Sequence, residues 1–209
     1  QAAERVTMLV QNEVQRVRLL GSAPLRVRQP VEAANRSYPI NRDKVQVLIN
    51  DRMQIWEKGL ESAARLLNPE LSRFLLETKV RDGDKVVGLL ITDQHGALVA
   101  ASSEPDHFYF GNEPWWETVR AGGIDQVYVS GLIPAQEGSF RTSEETIDIA
   151  VPILDDRQHA VIGAVKASYR FDSLFAMIKQ IRIGQTGHAM LFDAAGNPLA
   201  YHPFLYDGT

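Results

Sequence analysis

The stretch Tyr109-Phe110-Gly111-Asn112-Glu113-Pro114-Trp115-Trp116 sets one carboxylate two residues before a pair of indoles, with a phenol close by. A carboxylate pairs with an ammonium or guanidinium group. Each aromatic face that meets the same cation adds about 0.5–2 kcal/mol. A second carboxylate would be repelled in a partly desolvated cleft. The chemistry on offer is therefore recognition of a cationic or polar small molecule by Glu113 with Tyr109, Trp115, Trp116 and Tyr128. Adjacent residues on a helix point about 100° apart, so one indole is expected in the core and the other towards a ligand. Glu113 directly precedes Pro114 and is equally placed to cap the helix. Tyr128 and Ser130 fall on an expected strand, where a core or a pocket position remains open.

Other chemistries lack their residues. There is no cysteine, hence no disulfide, thiolate nucleophile or thiolate metal ligand. His95, His107, His159, His188 and His202 show no metal-binding spacing. No Gly-x-Ser-x-Gly occurs, and Gly184-Gln185-Thr186-Gly187 is too short for a phosphate loop. No cofactor is expected. A net charge of −4 argues against a general nucleic-acid binder. Residues 1–60 carry ten Lys/Arg against six Asp/Glu, whereas residues 104–156 carry eleven Asp/Glu against two Arg. The acidic middle would raise the local concentration of cations, although solvated loops are the commoner source of such a run.

Helices must supply the first part of the scaffold. Val6, Val10, Val14, Val17 and Leu20 form an apolar stripe over residues 2–20, interrupted by Gly21-Ser22-Ala23-Pro24. A second helix is expected from Arg42 to Leu67, with Asn41 or Asn35 as its cap and Asn68-Pro69 as its stop. A short helix from Pro69 to Leu76 follows. Strands are expected at residues 86–91, 97–101, 126–132, 146–154 and 161–169, with helices over 115–120 and 171–181.

One pattern occurs twice. Leu90-Ile91-Thr92-Asp93-Gln94-His95-Gly96-Ala97-Leu98-Val99-Ala100 is echoed by Met190-Leu191-Phe192-Asp193-Ala194-Ala195-Gly196-Asn197-Pro198-Leu199-Ala200. Each copy reads as a strand, an Asp-x-x-Gly turn and a strand. The Asp side chain accepts from backbone N–H groups, and Gly supplies the positive φ. The fold class is thus α+β: a long N-terminal helix, then a PAS-like antiparallel sheet with flanking helices, then the start of a second such module. The boundaries are 1–79 for the helical region, 80–182 for the first module and 183–209 for the incomplete second one. The chain starts inside a helix and stops after a hairpin, and so reads as a piece of a longer protein.

The order of elements, with Trp115-Trp116, Val127-Tyr128-Val129-Ser130, Ile149-Ala150-Val151-Pro152-Ile153, Ile162-Gly163-Ala164-Val165 and Gly184-Gln185-Thr186-Gly187, resembles the double Cache family. These are extracytoplasmic sensor domains of bacterial transmembrane receptors. The resemblance covers roughly residues 80–205. It implies a ligand site in the membrane-distal module, between the sheet and the segment carrying the tryptophans. It also implies a periplasmic location, a membrane-anchored parent and a homodimer through the N-terminal helix. The parent would be a histidine kinase, chemoreceptor, cyclic-dinucleotide enzyme or phosphatase, with none of its catalysis in this fragment.

Members that bind amino acids carry an Arg two residues before the first aromatic of a Trp-Tyr pair and an Asp at the end of the fifth strand. Here Glu113 and Trp116 depart from the first pattern, and Ser168 stands at the Asp position. The resemblance therefore implies that a standard amino acid is not the ligand. Two other readings compete. One is a cytoplasmic PAS-like module holding a haem, a flavin or a partner; the other is a structural dimerisation module whose pocket is filled by its own side chains.

Overall fold

A computed structural model describes residues 2–157, 160–173 and 176 of the 209-residue chain. The second hairpin, the Gly184–Gly187 segment, most of the exit helix and the boundary of a second module lie outside the described residues.

Helix α1 (Ala2–Gly21) turns through a single π-helical stretch (Pro24–Arg28) into α2 (Gln29–Arg36). Val14 and Val17 of the expected stripe are buried. The expected long second helix is two helices, α3 (Arg42–Trp56) and α4 (Leu60–Ala64). Gly59 between them takes φ 103°, a conformation open to glycine and costly for other residues, which ends the first helix. Asn41 caps α3 by accepting from the Asp43 N–H at 2.9 Å. Asn35 does not cap: its amide donates to the Ile162 carbonyl at 2.8 Å, and its carbonyl accepts from the Gln94 N–H. Asn68 caps α5 (Pro69–Asp82), accepting from the Leu71 N–H at 2.9 Å. That helix runs beyond the expected Leu76, because its next turn has no breaker before Gly83.

Five strands follow: β1 (Val86–Asp93), β2 (Leu98–Ala101), β3 (Tyr128–Val129), β4 (Thr146–Leu154) and β5 (Val161–Arg170), with α6 (Pro114–Ala121) between β2 and β3. The sheet order is β2-β1-β5-β4-β3, and every pairing is antiparallel. The α+β class is as the sequence implies. The strand expected over residues 126–132 shrinks to two paired residues, since β3 is an edge strand that crosses only Ala150 and Ile149 of β4.

The β1–β2 turn works as its sequence suggests. Asp93 Oδ1 accepts from the N–H groups of His95 and Ala97, and Gly96 takes φ 87°. Strand alternation divides the sheet into two buried faces. Leu89, Ile91, Ile149, Val151, Val165 and Ala167 meet Val14, Val17, Val31 and Leu75 of α1, α2 and α5. Leu90, Ala150 and Ala164 meet Trp115 and Trp116 of α6, Phe110 and Phe140. Asp148, Lys166 and Ser168 alternate in step with this second face.

Candidate functional site

Helix α6 starts with Pro114 at its first turn, which presets φ and needs no N–H partner. Glu113 is the N-cap residue, but its side chain makes no cap hydrogen bond. It turns instead to two side chains: His107 hydrogen-bonds one carboxylate oxygen, and the Trp115 indole N–H donates to the other at 2.6 Å. Burial pushes the Glu113 carboxyl up. The His107 hydrogen bond, the Lys166 charge and the Trp115 hydrogen bond outweigh it and hold the group below the usual carboxylate range. Glu113 is thus an ionised carboxylate at the rim of the inner sheet face, the one that α6 covers, its side chain 30% exposed.

Beneath it lies a charged cluster that the sequence did not announce. The Lys166 side chain is 1% exposed, and its ammonium sits 2.9 Å from Asp148 Oδ2. It also donates to the Ser139 hydroxyl. The same ammonium lies 4.8 Å from the centre of the Trp115 ring and 5.7 Å from that of Phe110. The other Asp148 oxygen accepts from the Ser168 hydroxyl at 2.5 Å. Register explains the meeting: Asp148 stands opposite Ser168, and Ala150 opposite Lys166, so the carboxylate and the ammonium are diagonal neighbours across β4 and β5.

The residues singled out from sequence divide into two groups. Glu113, Trp115, Tyr128, Ser130 and Ser168 surround the Asp148–Lys166 pair. Burial raises the Tyr128 phenol pKa, and the charges of Asp148 and Glu113 raise it further, which places both carboxylates near its ring. Ser130 accepts from the Asp148 N–H at 2.8 Å and donates to the Gly131 carbonyl, clipping the sheet edge with backbone bonds. Tyr109 and Trp116 lie elsewhere. The Trp116 indole donates to Thr92 Oγ1 at 3.1 Å, and its ring stacks under Arg120. Tyr109 bridges Ala97, and its phenol is raised by burial and by the charge of Asp93. The indoles do diverge around the helix, yet both are buried.

Sequence reasoning missed Asp148, Lys166 and His107. The available signal was a lone acid in Ile147-Asp148-Ile149 and a lone base in Val165-Lys166-Ala167, each interrupting an apolar strand that is buried on both faces. Ser168 carries no charge, but it hands the position to a carboxylate one strand away.

A cleft of about 790 Å³ opens elsewhere, near Trp56, Lys79, Glu104, Arg141 and Arg170. Arg141 is held by Asp106 at 2.7 Å and Arg170 by Glu144 at 2.6 Å. It lacks the buried convergent polar groups found under α6, which make the inner face the better candidate. Among the described residues no cluster of three potential metal ligands occurs, and no helix is long and apolar enough to cross a membrane.

No protein-family model matches the sequence, and no curated protein matches it either. Solved structures do. The ligand-binding domain of the Pseudomonas aeruginosa PAO1 amino acid chemoreceptor PctB in complex with L-Gln aligns with a TM-score of 0.54 at 16% identity, over 97% of this chain and 64% of that one. The corresponding domain of the amino acid chemoreceptor PctC from the same organism, in complex with GABA, gives 0.51 at 14% identity over 97% and 71%. The chain thus spans between 64 and 71% of these two domains' own lengths. At such identities the likeness is one of fold, and the fold is that of chemoreceptor ligand-binding domains, in keeping with the double Cache resemblance of the sequence.

Proposed function

We propose that this chain is the small-molecule sensing part of a membrane-anchored receptor, exposed on the periplasmic side, with residues 183–209 opening a second module. It would carry no catalysis of its own. Signalling would be a population shift: a ligand bound between α6, β3 and the inner sheet face favours one arrangement, and the helices carry that preference onward. The ligand would be a polar molecule bearing an amine. The observation that carries this reading is the ionised Glu113 carboxylate beside the Trp115 indole, above a second carboxylate, Asp148. Two carboxylates, Glu113 and Asp148, against the one ammonium of Lys166 make the cluster favour a further positive charge.

A calorimetric screen of the purified chain tests it. Amines should bind, and Glu113→Gln and Trp115→Ala should weaken that binding by about tenfold each while the fold persists, since each removes one charge-assisted or cation–π contact. Binding of carboxylates with failure of every amine would overturn the ligand class.

One observation favours a second reading. Lys166 already meets a carboxylate, a hydroxyl and two aromatic faces. A pocket filled in this way suits a structural module that binds nothing. In that case no small molecule would stabilise the wild-type chain.

A further inference from the structure

We infer that Asp148, Ser139, Trp115 and Phe110 form a primary-ammonium binding site which the chain occupies with its own Lys166. The surroundings of the Lys166 Nζ atom are those a receptor would build for a free alkylammonium. One carboxylate oxygen lies at 2.9 Å, a hydroxyl accepts a second N–H, and two ring faces cover the remaining side. Each contact is specific to a compact cation: the carboxylate through charge, the hydroxyl through its lone pairs, the rings through their quadrupoles. The carboxylate is itself held in place, because Asp148 accepts from Ser168 and its backbone is clipped by Ser130. Such second contacts pre-organise a site rather than fill a core at random. A lysine whose task was only to neutralise Asp148 needs no aromatic cover.

Self-occupation also has a conformational consequence. Ser139 belongs to the loop between β3 and β4, and the neighbouring Phe140 ring lies directly over Gly88 of β1. The Lys166 ammonium therefore fastens that loop to the sheet. A free ammonium that took its place would have to reproduce the Ser139 contact or let the loop go. The inference does not depend on sensing: a self-filled site serves the structural reading equally, and the wild-type amine screen, not the experiment below, decides between those.

The test is chemical rescue. Lys166→Ala removes the atoms of n-propylamine and leaves their cavity. The variant should gain a saturable thermal stabilisation from n-propylammonium and none from n-propanol at equal concentration. The wild type, its site filled by Lys166, should gain less from n-propylammonium than the variant does. Adding Asp148→Asn to Lys166→Ala should weaken the rescue at least about tenfold, the loss expected for one charge-assisted contact. Absence of saturable rescue in a folded Lys166→Ala, or rescue indifferent to Asp148, would overturn the site. Should that variant fail to fold, nuclear magnetic resonance of the wild type decides. One lysine ammonium should exchange slowly with water, and its neighbouring methylene protons should be shifted upfield by the two rings. A Lys166 ammonium that exchanges as fast as surface lysines would equally sink the proposal.

Discussion

Asp148 and Lys166 show how much depends on a single pair of side chains in the centre of a sheet. Both side chains are at most 5% exposed. Breaking such a pair from one side strands a charge, at a cost of about 3–5 kcal/mol, whereas replacing both members by apolar groups can be close to neutral. Asp148→Ala should therefore destabilise the chain by about that amount in urea unfolding, and Asp148→Ala with Lys166→Met should recover most of it. A double variant no better than the single one would mean the pair does not act as a unit. The same residues mark the limit of what the sequence could tell. Glu113 and Trp115 were legible because a carboxylate beside two indoles at a helix start is a local pattern. Asp148 and Lys166 lie 18 positions apart on separate strands, and only the β4–β5 register makes them neighbours. His107 became relevant only because the chain folds back six residues before Glu113.

Strands and helices were more readable than the site, because each follows from a period and a breaker. The β1–β2 hairpin was fixed by Asp93 and Gly96, the α5 start by Asn68, and the α6 start by Pro114. The break between α3 and α4 was not, since Gly59 sits amid residues that otherwise continue a helical pattern and one glycine is often tolerated there. Two other glycines measure how tightly the elements pack. A Cβ on Gly163 of β5 would lie 2.2 Å from the Thr92 carbonyl oxygen, a backbone atom of the neighbouring strand. A Cβ on Gly88 of β1 would lie 2.5 Å from the Phe140 ring, which sits on a loop and can swing away. Overpacking costs about 1–3 kcal/mol. Gly163→Ala should fall at or above the top of that range and Gly88→Ala near its bottom, both read from urea midpoints. Gly88→Ala should in addition make the loop at residues 134–145 more sensitive to proteolysis, because Phe140 is displaced. An equal cost for the two substitutions would show that β1 and β5 separate as readily as the loop lifts.

Over the whole molecule, polar ties join the helices to one another and to the β1–β2 hairpin beside their apolar contact with the sheet, and two carboxylates give it a pH profile with opposed slopes. Glu13 on α1 meets Lys85 at 3.0 Å, and Arg16 meets Asp82 at 3.2 Å. Tyr38, after α2, donates to Asp93 Oδ2 at 2.6 Å. Burial raises the Asp93 pKa in spite of the hydrogen bonds from Tyr38, His95 and Ala97. The folded chain thus keeps the Asp93 proton to higher pH than the unfolded chain does. Its contribution to stability is fully present below the ordinary carboxylate value and is lost as pH rises through the folded one. Glu113 behaves the other way. Its folded pKa is depressed, so its contribution is present above the ordinary value and is lost as pH falls through the folded one. Between them the two groups favour the folded chain most near about pH 4, where unfolded carboxylates titrate. Urea unfolding across a pH series separates them. Asp93→Asn keeps an acceptor for His95 and Ala97, and it should flatten the decline above about pH 4. Glu113→Gln should flatten only the decline below it. Tyr38→Phe removes one donor to the Asp93 carboxylate, so it should raise that pKa further and carry the decline to higher pH. A Tyr38→Phe profile identical to the wild type would mean that the tie between the helical layer and the hairpin is not made in solution.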